Sequence, residues 1–329
     1  MKRYFHLISC AFVLTVSAAS SAGASSSEKA RPTAAPSESC EEQCLRAISE
    51  RYLQAMAKRD KALIPLAAGA RYSENGVPLA FGDGLWRTFE RPSGYRNIFT
   101  DASQGQVAMF ATIVENGSEQ LMMLRLKVAS GKISEAESFV VRRQGSAFLN
   151  TEGLVLDPVW GKALAPDDKP TRAQLIAAID PYFDALSKGD GSLAPFHPDC
   201  VRIENGITTA GVEGATRRIG KMPFGPPRLL ARCASQADSG RFTYIQDIDP
   251  RRYLIVDERR GLVFGIFHFQ HPGDKLIARS KDGHEEPMGP HATTPSTVPV
   301  AELFKVERGK IVAIEAVMVT TPYRMPSAW

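Results

Sequence analysis

The chain has 329 residues, 43% hydrophobic and 23% charged, with a formal net charge of +4. That length holds two ordinary domains with real cores, and the composition is that of a globular protein, neither disordered nor fibrous. The small net charge and the lack of any basic block argue against a nucleic-acid or anionic-membrane partner.

Residues 1–24 read as a cleavable signal peptide. "MKR" is a basic start, "YFHLISCAFVLTV" an apolar stretch, and "AGA" at Ala22–Ala24 a small-residue cleavage site. "LISC" at Cys10 faintly resembles a lipoprotein signal, but the apolar run continues past it. Cleavage near Ala24 would remove Lys2 and Arg3 and no acid, lowering the formal charge to +2. No other segment is long and apolar enough to span a bilayer. A periplasmic or secreted protein is therefore expected. Residues 25–39, "SSSEKARPTAAPSES", are a small-residue leader expected to be disordered. Cys40, Cys44, Cys200 and Cys233 form an even set in an oxidising compartment, which allows three connectivities. Of these, Cys40–Cys44 with Cys200–Cys233 is the pairing expected; a thiolate metal site is not, because the spacings fit no metal pattern.

A first domain is expected over 40–150. Apolar spacing predicts a helix over Ala47–Ala57, Asn75-Gly76 a tight hairpin turn, and "LWRTF" at Leu85–Phe89 a short helix. "QVAMFATIV", "LMMLRLKV" and "SFVVRR" follow as strands, separated by turns at Asn116-Gly117 and Ser130-Gly131. Residues 151–170 form a linker that includes "APDDKP". A second domain, 171–329, repeats the order. It has a helix over Ile176–Leu186, Asn205-Gly206 as a turn, and strands "RYLIVD", "LVFGIFHF", "VAELFKV" and "IVAIEAVMV". The repetition is literal. Tyr52–Gly76 matches Tyr182–Gly206 without a gap, keeping Tyr, Ala55/Ala185, Lys58/Lys188, Asp60/Asp190, Leu63/Leu193, Pro65/Pro195 and Glu-Asn-Gly. "RNIFTDASQGQV" from Arg96 matches "RYLIVDERRGLV" from Arg252, and "KVASGKISEAE" from Lys127 matches "KVERGKIVAIE" from Lys305. Three blocks in one order with growing offsets mean a duplicated domain with two insertions in the second copy. One insertion holds "KMPFGPPRLLARC"; the other is a polar loop over 270–299 with the character of a mobile, solvated lid. Helices followed by a curved antiparallel sheet, twice, make an α+β fold.

Tyr-x-x-Ala, the following Asp60/Asp190, the acidic hairpin and the "GKI" turn resemble the cone-shaped α+β barrels of the nuclear-transport-factor-2-like superfold. That group includes ketosteroid isomerase, scytalone dehydratase and the SnoaL-like cyclases. The chain also resembles a group of secreted tandem proteins that end in Pro-Tyr and Trp, here Pro322-Tyr323 and Trp329. The resemblance covers nearly all of both copies. It implies two tandem cones packed as an intramolecular pseudo-dimer, with further oligomerisation open. It says less about activity, because such a superfold hosts enzymes and binding modules alike. By position, the ketosteroid isomerase comparison implies an oxyanion-binding tyrosine at Tyr182 or Tyr52, a base at the hairpin (Glu204-Asn205 or Glu74-Asn75), and a second acid at Glu302. In the first copy that last position is Leu124.

Each candidate has a plainer alternative. Strand alternation puts Glu302 on one face with Val300, Phe304 and Val306, where burial would favour its neutral form; alternatively it is an edge-strand acid that reaches solvent or pairs with an arginine. Glu204 and Glu74 are bases or hairpin-tip decoration, and Tyr182 and Tyr52 are oxyanion donors or helix core. Trp86, Tyr95 and His268 are candidates for lining a pocket. Arg252-Asp257 and Arg96-Asp101 look like pairs closing a strand turn. His271, His284 and His291 fall in or beside the second insertion without a metalloprotease spacing, so no metal is expected. No phosphate loop, dinucleotide fingerprint or nucleophile elbow is present. The expectation is a cofactor-independent lyase, dehydratase or isomerase acting on a small apolar hydroxy or keto compound, aromatic ones included. Glu204 would be the base, Asn205 would orient it, and Tyr182 and Glu302 would stabilise the oxyanion. The alternative is an exported, non-catalytic small-molecule-binding or interaction protein.

Overall fold

The computed structural model describes residues 40–145, 148–152, 154–211 and 231–329. The expected signal peptide, the leader and most of the first insertion lie outside the described residues. The first copy opens with α1 (Glu42–Lys58), whose Leu45, Ile48, Tyr52, Leu53 and Met56 form one buried stripe. It continues through β1 (Leu66–Glu74), β2 (Val77–Leu79), β3 (Phe89–Asp101), β4 (Gln106–Glu115), β5 (Ser118–Ala129) and β6 (Lys132–Val141). The second copy has α2 (Arg172–Lys188), β7 (Phe196–Glu204), β8 (Ile207–Ala210), α3 (Cys233–Asp238), β9 (Asp247–Asp257) and β10 (Leu262–His271). The short strands β11 (Ile277–Arg279) and β12 (Glu285–Pro287) follow, then β13 (Ser296–Glu307), β14 (Lys310–Met318) and β15 (Thr321–Pro322). "LWRTF" gives only a single 3-10 turn, Gly84–Arg87.

The two sheets have one topology. The first runs β2-β1-β6-β5-β4-β3 and the second β8-β7-β14-β13-β10-β9, with β15 added to β13. In each, the strand before the Asn-Gly turn pairs parallel with the last long strand, β1 with β6 and β7 with β14, while the other pairs on these paths are antiparallel. This fold is α+β and duplicated. Asn75 and Asn205 both take positive φ, as do the glycines that follow, which is what a two-residue turn of this hand requires.

One face of each sheet packs on its own helix and the opposite face on the other copy. The shared cluster joins Phe99, Phe110 and Phe139 of the first sheet to Ile255, Phe264 and Leu303 of the second. The Phe264 ring centroid lies 5.0 Å from Phe99 and 6.0 Å from Phe110. Two equivalent glutamates lock this face from opposite sides. Glu137 accepts from Arg252 at 3.0 and 3.1 Å, and Glu315 accepts from Tyr95 and Asn97 at 2.5 and 3.0 Å. The expected pairs within Arg96-Asp101 and Arg252-Asp257 therefore do not form. Both arginines point off the strand to other partners, Arg96 to Glu50 and Arg252 to Glu137, while Asp101 holds Arg172 and Asp257 holds Arg260.

β10 and β13 stay paired out to His271 and Ser296, so the second insertion proper is narrower than 270–299 and spans 272–295. Its hairpin, β11–β12, is tied down rather than loose. Lys281 Nζ reaches Asp190 at 2.6 Å, its backbone N donates to Asp238 O at 2.8 Å, and Arg241 pairs with Glu286. Disulfides join Cys40 to Cys44 and Cys200 to Cys233. Among the described residues no helix is long and apolar enough to cross a membrane.

Candidate functional site

The second copy gathers its charged side chains at the place where β7, β13 and α2 meet. Alternation along β7 puts Arg202 and Glu204 on one face. α2 delivers Tyr182 to the same place, and β13, flanked by β10 and β14, delivers Glu302. Glu302 is thus in a central strand and fully buried, not at an edge in water. The contacts form a chain. Arg202 Nη2 meets Glu204 Oε1 at 2.9 Å, Arg202 Nε donates to Tyr182 Oη at 2.9 Å, and Tyr182 Oη donates to Glu302 Oε1 at 2.7 Å. Glu302 Oε2 is buried with no partner among the described residues.

Burial sets the protonation states. It pushes the Glu302 carboxyl up to about 7, against the pull of Arg202 and the Tyr182 hydrogen bond and with help from Glu204. It also holds the Tyr182 hydroxyl far above its ordinary value. Burial opposes the Arg202 charge, but Glu204, Tyr182 and Glu302 outweigh it and keep the guanidinium firmly protonated.

A cavity of about 800 Å³ opens beside this cluster, lined among others by Arg202, Glu204, Phe242, Tyr244, His271 and Met318. Asn75, Val140 and Arg142 of the first copy form part of its wall. Arg142 is balanced there by Glu74 and Glu115 at 2.9 and 2.7 Å.

Of the residues singled out from sequence, Tyr182, Glu204 and Glu302 converge, but only Glu204 lies on the wall. Tyr182 and Glu302 stand behind Arg202 and do not line the cavity. Asn205 lines it, yet its side chain serves the backbone, accepting from Met318 N at 2.9 Å and donating to Phe148 O and Met318 O at 3.2 Å. It does not bond Glu204. His268 is not at the cavity. Phe267 and Phe269 face the helix side of β10, so His268 faces the other way, toward Arg252 and Glu137. His271, two residues beyond Phe269, is the one that lines the cavity.

In the first copy the equivalent groups satisfy one another. Trp86 Nε1 donates to Tyr52 Oη at 3.0 Å inside the core, where both rings are buried. Glu74 accepts from Tyr72 Oη at 3.0 Å and Leu85 N at 2.6 Å and pairs with Arg142. Asn75 bonds the Val140 backbone. Tyr95, the other aromatic candidate, belongs to the contact between copies.

Sequence reasoning passed over Arg202 and Tyr244 and grouped His271 with the second insertion. Arg202 had a signal: it stands where the first copy has Tyr72, two residues before the shared Glu, in an otherwise ungapped match.

A domain of unknown function (DUF8021) matches residues 168–318. A search of curated proteins finds no significant match. Solved structures that the chain resembles include proteins described as NTF2-like and as ketosteroid isomerase. One is an NTF2-like protein of unknown function from Cytophaga hutchinsonii, at 11% identity over 30% of this chain and 92% of that one, TM-score 0.26. Another is a candidate ketosteroid isomerase from Kribbella flavida, at 15% identity over 34% of this chain and 88% of that one, TM-score 0.24. A third is AusH from Aspergillus nidulans, at 13% identity over 46% of this chain and 86% of that one, TM-score 0.28. The duplicated sheet order, not these likenesses, carries the fold assignment.

Proposed function

We propose that the second copy is a cofactor-independent acid–base enzyme, a lyase, dehydratase or isomerase, acting on a small, largely apolar hydroxy or keto compound. The observation that carries this reading is Glu204, a carboxylate held on the cavity wall by Arg202 at 2.9 Å. Glu204 removes a proton from carbon next to a carbonyl. The C–H bond breaks, its electron pair moves into the enolate, and the negative charge collects on the carbonyl oxygen. The Arg202 guanidinium and the Tyr244 hydroxyl are the donors on the wall able to meet that oxygen. Arg202 Nη1 has only a long contact among the described residues, 3.5 Å to Gln236 Oε1, and is the nitrogen available for it. Return of the proton to a different carbon isomerises the compound; return of it to a β-hydroxyl, whose C–O bond breaks as the enolate electrons form the C=C bond, releases water and dehydrates it. General acid–base catalysis of this kind supplies roughly 10²–10⁴-fold. Tyr182 and Glu302 act one step back as positioning residues, fixing the Arg202 Nε.

Proton exchange tests this without identifying the product. A panel of aryl and alicyclic ketones is incubated with the full chain in D₂O, and exchange at the α-carbon is followed by NMR. Exchange that Glu204→Gln abolishes supports the reading; no exchange across the panel, or exchange that Glu204→Gln leaves intact, sinks it. A non-catalytic binding protein is the second reading. It is favoured by one observation, the direct Arg202–Glu204 ion pair, in which each charge is already compensated by the other. We also place the protein outside the cytoplasm, a reading supported by its two disulfides.

A further inference from the structure

His271 is the unexplained polar group of the cavity. Its side chain lines the wall while the residue is only 5% exposed. Nδ1 lies 3.5 Å from Ser296 Oγ, and Nε2 is buried with no partner among the described residues. A buried donor or acceptor left unmade is costly, so an orphan beside a cavity is a place where a bound oxygen would be stabilised. The Tyr244 ring meets those of His271 and His291 edge to face, with centroids 4.6 and 5.3 Å apart. His271 stands on β10 and Glu204 on β7, with β14 and β13 between them. By register Glu204 is level with Gly265, six residues short of His271, so the two are separated along the strands as well as across them, and Tyr244, which feels the Glu204 charge and packs on His271, lies between them.

Both arginines of the wall are already ion-paired. Arg202 is matched by Glu204 and Arg142 by Glu74 and Glu115. His271 is held neutral, its pKa brought down to about 4 by burial and then by His291. His291 is also lowered, by burial and by Arg241. A neutral imidazole offers one N–H and one lone pair and no charge. At His271, therefore, a carboxylate or a phosphate gains no charge attraction that a hydroxyl lacks.

We propose that His271 forms a second polar subsite of this cavity, opposite the Arg202–Glu204 pair, and that the ligand is an uncharged, mostly apolar molecule carrying an oxygen function at each end. This inference rests on the reading of the cavity as a small-molecule site, and it holds for an enzyme or a binder alike. One end meets Arg202 and Glu204. The other exchanges a hydrogen bond with His271 Nε2.

Two pairs of probes test it by calorimetry on the full chain: 4-phenylphenol against 4,4′-biphenol, and 4-cyclohexylphenol against 4-(4-hydroxycyclohexyl)phenol. The two-oxygen member of each pair is expected to bind about tenfold more tightly, the worth of one buried hydrogen bond. In His271→Phe, which keeps the ring and removes an unsatisfied polar atom, the ratio should fall to about one, and His271→Gln should restore part of it. 4′-Hydroxybiphenyl-4-carboxylate should bind more weakly than 4,4′-biphenol. Equal affinities within each pair, a preference that persists in His271→Phe, or tighter binding of the anion would overturn the subsite and leave the cavity reading intact. If none of the probes binds, both readings fail.

Discussion

Tyr182 donates to Glu302 at 2.7 Å and accepts from Arg202 Nε at 2.9 Å, so one hydroxyl joins the first helix of the second copy to a central strand and to the cavity wall. The polarity of this chain is fixed. Arg202 is always a donor, so the tyrosine proton goes to Glu302 Oε1, which leaves the unpartnered Oε2 as the oxygen open to a proton of its own.

That geometry gives stability a pH dependence with a definite sign. The Glu302 carboxyl is raised from 4.5 to about 7, chiefly by burial. Between those values the folded state holds a proton that the unfolded state has released, so stability falls as pH rises through the window. The raised pKa costs nothing below 4.5 and its full amount above 7. A shift of that size corresponds to about 3 kcal/mol. Glu302→Gln cannot titrate. Its stability relative to wild type should therefore rise by about that amount from pH 4 to pH 8 in urea denaturation. A difference that stays flat across the range would mean that Glu302 does not titrate there.

Arg202 is worth more as a partner than as a charge. Arg202→Leu leaves Glu204 and the base of the Tyr182–Glu302 chain without their cation, and loss of one member of a buried pair costs about 3–5 kcal/mol. Removing both charges together is far cheaper, because no uncompensated ion remains. The double variant Arg202→Leu/Glu204→Leu should recover most of the loss. Strictly additive losses would show that the two side chains are not energetically coupled.

The duplication was legible because ancestry left identical residues at fixed offsets, and the Asn-Gly turns gave the hairpins. The position of Glu302 was legible too, since Val300 and Phe304 bracket it at strand period and all three lie in one core. His268 was misplaced for a physical reason. β10 is buried on both faces, so "LVFGIFHFQH" offers no polar alternation from which to read direction. Only the packing of Phe267 and Phe269 on the helix shows that the cavity histidine is the later one, His271. Arg202 was hidden by the opposite problem, because attention to what the copies share passes over the site where they differ. The ties of Asn205 to Phe148 and Met318 are long-range contacts that no local pattern encodes.

The contact between copies should make the two halves unfold as one. Phe264 has no exposed surface and sits against Phe99 and Phe110 of the other sheet. Phe264→Ala should cost about 3–5 kcal/mol. Calorimetry of the wild type is expected to give a single transition, moved as a whole by this variant. Two wild-type transitions, only one of them shifted, would mean that the sheets fold independently and merely touch.

The two copies also solve the end of the first helix differently. α1 stops at Arg59 with φ 54°, and α2 stops at the equivalent Gly189 with φ 66°. Both residues turn left-handed so that their N–H groups return to the last turn, and only glycine does so without a clash at Cβ. Gly189→Ala adds that clash and brings a methyl to 3.0 Å from Thr243 Cγ2, so it should destabilise by about 1 kcal/mol. Arg59→Gly should do the reverse. It removes a strained conformation at the expense of one exposed hydrogen bond from Arg59 Nε to Arg87 O at 3.0 Å. A gain of about 0.5–1 kcal/mol in chemical denaturation is expected. A loss on Arg59→Gly would mean that the exposed arginine contact outweighs the backbone strain, and that the first copy keeps Arg59 for its side chain.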